Sequence, residues 1–324
     1  MKQITHYFTC LVFVCVATVA TISAQHADTG KEAHDTSPVF KKLQQVSLNS
    51  QWKRISATPL LFTTYHTQGL TKVNGSFYIT AVKVNRWPKP YGKVINGYDR
   101  DNGDGMGYLF RFDSTGKLTD SIQIGEGVMY HPGGIDYDGK YIWVPVCEYR
   151  PNGRSLIYRI DPANMKKTKM AACNDALGAV AYNRYNHTLV GMNWGSRKFY
   201  EWKVTALNNS IVLQPVSEQG VKNPHYYIDY QDCNYIGDGL MLCAGLRTYK
   251  NPNGGAVFKL GGIEVIDMRN YSSVFQFPVN EWAKPGTVMT NNPCFAEIVN
   301  GKLRFYFVPE DDQSTLYTYE LKEE

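Results

Sequence analysis

From Gln51 onward the chain alternates apolar and polar residues in short runs broken by Gly, Asn and Asp, and amphipathic helical periodicity is nearly absent. Alternation at period two predicts half-buried β-strands. One turn recurs five times between two such runs: VNGSFYITAV from Val73, YDGKYIWVPV from Tyr137, YNHTLVGMN from Tyr185, GDGLMLCAG from Gly237 and VNGKLRFYFV from Val299. Asn-Gly and Asp-Gly favour two-residue hairpins because both central positions adopt positive φ. A third strand follows each pair: GYLFRFD, SLIYRID, KFYEWKV, GGIEVID and STLYTYEL. Four of the five then turn tightly into a fourth strand (SIQI, TKMAA, SIVLQP, SVFQFP), whereas the fifth ends at LKEE.

Repeats of four antiparallel strands are the blades of a β-propeller. The unassigned segment QWKRISATPLLF, from Gln51, supplies the strand missing from the last blade. The predicted fold is therefore all-β: a β-propeller of five blades, each of four antiparallel strands, with the ring closed by an N-terminal strand. Six blades is the alternative count. Residues 51–324 form the single propeller domain, and residues 25–50 read as an N-terminal linker, partly disordered. Residues 1–24 carry Lys2, an apolar run from Phe8 to Ile22 and the small pair Ser23-Ala24. That is the pattern of a cleaved signal peptide, so a secreted or periplasmic protein is expected. No later segment is long and apolar enough for a membrane span.

In a propeller, second-to-third-strand connections and inter-blade connections open on one face. Here that face receives every long loop, and loops on a rigid scaffold commonly carry function. The loops place Arg86, Arg100, Arg150, Arg154, Arg197 and Arg247 among Trp87, Tyr91, Tyr98, Tyr149, Trp194 and Tyr249. Arginine suits capture of planar anions, and aromatic faces suit sugar rings or protein partners. Expected ligand-binding residues are Arg150, Arg154, Glu148, Tyr149, Trp194, Arg197 and Arg247. Aligning the first strands brings His66, His131, Asp175, Asp229 and Asn292 to equivalent points around the channel mouth. His66, His131, Asp175 and Asp229 are candidate ligands for one divalent metal ion. His66 and His131 are equally candidates for catalytic bases.

Net charge is +5 without a Lys/Arg tract, which falls short of a nucleic-acid footprint. Beyond the leader there are five cysteines in no CxxC pair, with a Cys233–Cys243 bridge across one hairpin as the candidate disulfide. DRDNGDG, from Asp99, lacks the ligand spacing of a calcium loop.

The block YHPGGIDYDGKYIWVPVCEYRPNGRSLIYRID, with TYHTQGL, GYDRDNGDGMGYLF and DYQDC, resembles a secreted family of unknown function found in bacteria and fungi. The resemblance runs from about Pro59 to near the C-terminus and implies propeller fold and secretion, but no chemistry. At fold level only, a His-lined channel with an Arg-rich rim also resembles propeller lyases acting on uronic-acid oligosaccharides. The expected function is binding of a small anionic ligand, such as an acidic sugar, at the channel mouth. A metal-assisted lyase or hydrolase would use a His as base and an Arg against the substrate carboxylate. A non-catalytic protein- or glycan-binding module is the alternative.

Overall fold

The Asn-Gly hairpins form as the turn chemistry dictates, with Asn74 and Gly75 at φ 48° and 83° and Asn300 and Gly301 at 50° and 76°. The computed structural model describes residues 36–322 apart from residues 48, 208, 209, 252, 256 and 285. The signal-peptide expectation for residues 1–24 lies outside the described residues. Blade 1 consists of His66–Val73, Ser76–Arg86, Asp104–Phe112 and Leu118–Ile124. In blade 2 the inner strand is split into Met129–Pro132 and Asp136–Tyr137, followed by Ile142–Glu148, Ser155–Asp161 and Lys166–Cys173. Blade 3 is Leu177–Asn183, Thr188–Asn193, Lys198–Leu207 and Ser210–Pro215; blade 4 is Asp229–Gly237, Leu240–Lys250, Val257–Asp267 and Ser272–Val279. Blade 5 joins Cys294–Val299, Lys302–Phe307 and Thr315–Lys322 to Gln51–Pro59, paired antiparallel from Gln51 opposite Lys322 to Pro59 opposite Thr315. The five-bladed ring is thus closed by its N-terminal strand.

Each blade buries both faces against its neighbours, and each interface carries its own apolar cluster. Leu70, Ile79 and Phe112 meet Tyr306 and Val308 between blades 1 and 5. Trp143, Ile157, Val180 and Trp202 fill the space between blades 2 and 3. Trp52, on the closing strand, packs edge-on against Phe305 and Phe307 at centroid distances of 5.1 and 6.0 Å. Cys233 and Cys243 lie directly opposite one another on blade 4 and form the candidate disulfide. The segment expected to be a partly disordered linker contains one short helix. Pro38–Leu43 is a helix capped by the Ser37 hydroxyl, which accepts from the Phe40 amide at 3.1 Å. Val39 and Leu43, four residues apart and hence on one helical face, are buried against blades 4 and 5. Among the described residues no helix is long and apolar enough to cross a membrane.

The inner strand of every blade leaves amides facing the channel without a ladder partner, and such buried donors must be satisfied. Two carboxylates do this for the ring. Asp232, on blade 4, accepts from Leu70 of blade 1 at 2.7 Å and Ile135 of blade 2 at 3.1 Å, and the Cys294 amide of blade 5 also bonds to it. Asp136, on blade 2, accepts from Tyr182 of blade 3 at 2.8 Å and Tyr235 of blade 4 at 3.1 Å. Gly134 sits so close that a Cβ there would lie 2.6 Å from the Asp232 carboxylate. The glycines after His131 therefore allow backbone to approach this hub.

Burial pushes Asp136 up to about 7, its amide bonds pulling only partly back. The folded state then holds a proton that the unfolded chain releases near pH 4. This contribution to stability is complete below about pH 4 and is lost as pH rises through about 7. Denaturant titrations across that window should show this decline, and Asp136→Asn should flatten it. An unchanged pH profile in the variant would assign the slope to other groups.

Candidate functional site

At the mouth of the channel the inner strands of blades 1 and 2 bring their leading histidines together. The His66 and His131 ring centroids are 6.0 Å apart. Both border a cavity of about 150 Å³ lined also by Gln68, Cys147, Tyr149, Gly178, Trp194, Gly195, Tyr230 and Gln231. His131 stacks on Tyr149 at 4.0 Å and lies 5.8 Å from Trp194, so one wall of the cavity is a continuous aromatic surface. Trp87 extends that surface, 5.8 Å from Tyr149.

The two histidines differ in their surroundings. Burial, reinforced by nearby His66, holds His131 well below the usual imidazole range, so the ring is neutral at physiological pH. Its Nε2 is buried and has no hydrogen-bond partner in the protein. Cys147 pairs with His131 across the strands, but burial raises its thiol to about 12, which leaves it protonated and unsuited as a nucleophile.

His66 is held from both sides. Its Nδ1 lies 3.0 and 3.1 Å from the two Asp311 oxygens, and its Nε2 lies 2.9 Å from the Gln68 amide nitrogen. That amide nitrogen also donates to the Thr67 carbonyl at 2.7 Å, which fixes the orientation of the Gln68 side chain. Nε2 must then be the acceptor, and Nδ1 carries the proton donated to Asp311. Asn292 donates to Asp311 at 3.0 Å and so fixes the carboxylate in turn.

The other expected ring members turn away. Asp175 accepts from Tyr200 at 2.8 Å and Asn193 at 3.0 Å through one oxygen, and from the Ala176 amide at 2.8 Å through the other. Asp229 is held by Arg197 at 2.8 Å and Arg247 at 3.0 Å. A register shift between Tyr230 and Asp232 gives the axial position to Asp232 instead. Among the described residues no group of three or more His, Cys, Asp or Glu side chains is placed to share a metal ion. The expected four-residue metal ring is therefore not assembled: His66 and His131 meet, and Asp175 and Asp229 do not join them.

The rim arginines expected to capture an anion are already engaged. Glu148, fully buried, accepts from Arg150 and Arg154, both at 2.7 Å. Arg197 also donates to the carbonyls of Gly195 and His225, and Arg150 lies over the Tyr98 ring at 3.3 Å. Arg86 pairs with Asp101, and Arg100 with Asp99, both at 2.8 Å. None of these arginines lines the cavity. Of the expected ligand-binding residues, Tyr149 and Trp194 line it, while Glu148, Arg150, Arg154, Arg197 and Arg247 support the loops around it.

Sequence reasoning missed Gln68, Gln231, Tyr230 and Asp311. The first three follow from the channel register once the strands are placed. Asp311 lies 245 residues from His66. The signal that could have found it is topological: PEDDQS joins the second and third strands of blade 5, which adjoins blade 1 on this face.

A family model described as a family of unknown function (DUF6454) matches residues 33–322. No curated protein matches the sequence. Similar solved structures include a luciferin-regenerating enzyme, at 12% identity and a TM-score of 0.45, covering 85% of this chain and 95% of that one. A hypothetical protein from Leishmania major is 11% identical with a TM-score of 0.48, over 84% of this chain and 91% of that one. A tail fiber of Staphylococcus aureus phage P68 is 10% identical with a TM-score of 0.44, over 88% and 55%.

Proposed function

The chain belongs to that family of unknown function, and from its channel mouth we propose that it binds a small neutral sugar. The observation that carries this reading is the aromatic wall of Tyr149, His131 and Trp194 beside a cavity whose buried His131 Nε2 has no partner. Sugars present an apolar ring face and a rim of hydroxyls. Aromatic rings match the first, and the amides of Gln68 and Gln231 with the vacant imidazole acceptor match the second. An acidic sugar is less well served, because every rim arginine is already paired with a carboxylate, Arg150 and Arg154 sharing Glu148 and Arg197 and Arg247 sharing Asp229, and none of them lines the cavity.

Export, expected from residues 1–24, is consistent with the Cys233–Cys243 bridge, since such bonds persist in oxidising compartments. A second reading rests on the His66–Asp311 pair. A ligand hydroxyl taking the place of Gln68 would meet an imidazole lone pair oriented by a carboxylate, the arrangement of a general base. Turnover of a bound sugar that is abolished in His66→Gln, with binding retained, would establish that reading.

The binding test is calorimetry of the full chain against neutral monosaccharides and their uronic acids. Neutral sugars should bind, and Tyr149→Ala should weaken them about tenfold or more through loss of stacking area. Salt-sensitive binding of uronic acids alone, lost in Arg154→Gln or Arg247→Gln, would restore the anionic reading and exclude this one.

A further inference from the structure

Blade 4 carries a ribbon that outgrows its own sheet. Leu240–Lys250 and Val257–Asp267 stay paired from Leu240 opposite Asp267 to Lys250 opposite Val257. The inner strand, however, pairs no further than Leu246, and the outer strand no further than Gly261. Four residue pairs, Arg247–Lys250 with Val257–Leu260, therefore project as a free two-stranded ribbon, about 13 Å long at the usual strand rise. An isolated ribbon of this kind gains little from its own pairing.

The ribbon nonetheless exposes large apolar side chains. Phe258 is 63% exposed and Leu260 55%, with Tyr249 and Val257 similarly open and Trp282 of the following inter-blade connection beside them. The segment from Leu246 to Leu260 contains Arg247, Lys250 and Lys259 and no acidic residue. Arg247, at the base, is neutralised by Asp229, whereas Lys250 and Lys259 are exposed and form no ion pair among the described residues. A second projection leaves the same face, because it too joins the second and third strands of its blade. This is the hairpin Pro90–Ile95 with Tyr98–Arg100, which exposes Tyr91, Val94 and Ile95 beside Lys89 and Lys93.

We propose that the blade 4 ribbon docks on an anionic lipid surface, with the blade 1 hairpin as a second point of contact. Aromatic and aliphatic side chains along the paired strands, next in sequence to the unpaired Lys250 and Lys259, match the two layers of such a surface. The apolar groups enter the acyl boundary, and the lysines reach the phosphates. The uncompensated positive charge disfavours a second copy of the same ribbon as the occupant, because like charges would face each other. This docking is independent of the sugar reading, since none of its residues lines the channel-mouth cavity.

The test is co-sedimentation of the full chain with vesicles of phosphatidylglycerol and phosphatidylethanolamine, set against vesicles of phosphatidylcholine alone. Binding is expected only to the anionic vesicles and should fall as salt is raised. Lys250→Gln with Lys259→Gln should reduce it about tenfold or more, and Phe258→Ser with Leu260→Ser should reduce it at least as much. All four positions lie beyond the blade, so the thermal unfolding midpoint should stay unchanged and serve as the folding control. Equal binding to both vesicle types, no binding to either, or variants that sediment like the parent chain would each overturn the proposal.

Discussion

Replacing Asp232 with Ala should lower the unfolding free energy by about 4 kcal/mol or more, measured as a drop in the denaturant midpoint at constant slope. The reason is topological. Asp232 accepts from the amides of Leu70, Ile135 and its neighbour Cys233, and the Cys294 amide bonds to it as well. Without the carboxylate those donors lie buried and unpaired at the meeting point of four blades, each costing about 1–3 kcal/mol. Part of this loss is offset because burying the carboxyl is itself unfavourable, as its rise well above the ordinary range indicates. Most natural domains have about 5–15 kcal/mol in total, so the variant sits close to the unfolding limit. Asp229→Ala is the contrasting control. Its carboxylate is partly solvated and pairs with two arginines at the rim, so about 1 kcal/mol or less is expected. Equal costs at the two positions would refute the hub.

His131→Phe should separate binding from stability. The phenyl ring preserves stacking on Tyr149 and Trp194 and removes the Nε2 that has no partner. A buried polar atom left unpaired costs about 1–3 kcal/mol, so the variant should unfold no more easily than the parent, with the adjoining cavity accommodating the added volume. Sugar affinity should nevertheless fall about tenfold or more, through loss of a buried, unpaired imidazole nitrogen on the aromatic wall. Calorimetry and thermal melting on the same preparation read both effects. Unchanged affinity would make His131 a packing residue and move the binding role to Gln68 and Gln231.

The fold was legible because its signals are local. A hairpin such as VNGSFY declares itself within six residues, through positive φ at the turn and alternation on either side. Five repetitions, with one spare strand at the N-terminal end and one strand missing from the last repeat, then point to a closed ring. Tyr149 and Trp194 were legible for a related reason: they sit in long loops on the loop-rich face. The roles of the arginines were not. Arg150 and Arg154 read as free cations in EYRPNGRS, yet both close on Glu148, six residues or fewer away, once the loop folds back. Asp229 and Asp232 lie three residues apart in DYQDC, and one bulge decides which of them reaches the axis.

The sequence by itself therefore determined the four-strand repeat, with five blades favoured over six, the closing strand, the face that carries the long loops and the meeting of His66 with His131. Each of these follows from period-two alternation and turn chemistry, which act over a few residues. Only the tertiary structure decided which carboxylates satisfy the inward amides of the ring, that Asp311 orients His66, and that the arginines are engaged. Several of those outcomes depend on groups far apart in sequence, 32 residues for Arg197 with Asp229 and 245 for Asp311 with His66, and the rest on loops folding back on themselves. Hydrogen-bond satisfaction in a buried channel is a property of the closed ring, and no single blade contains it.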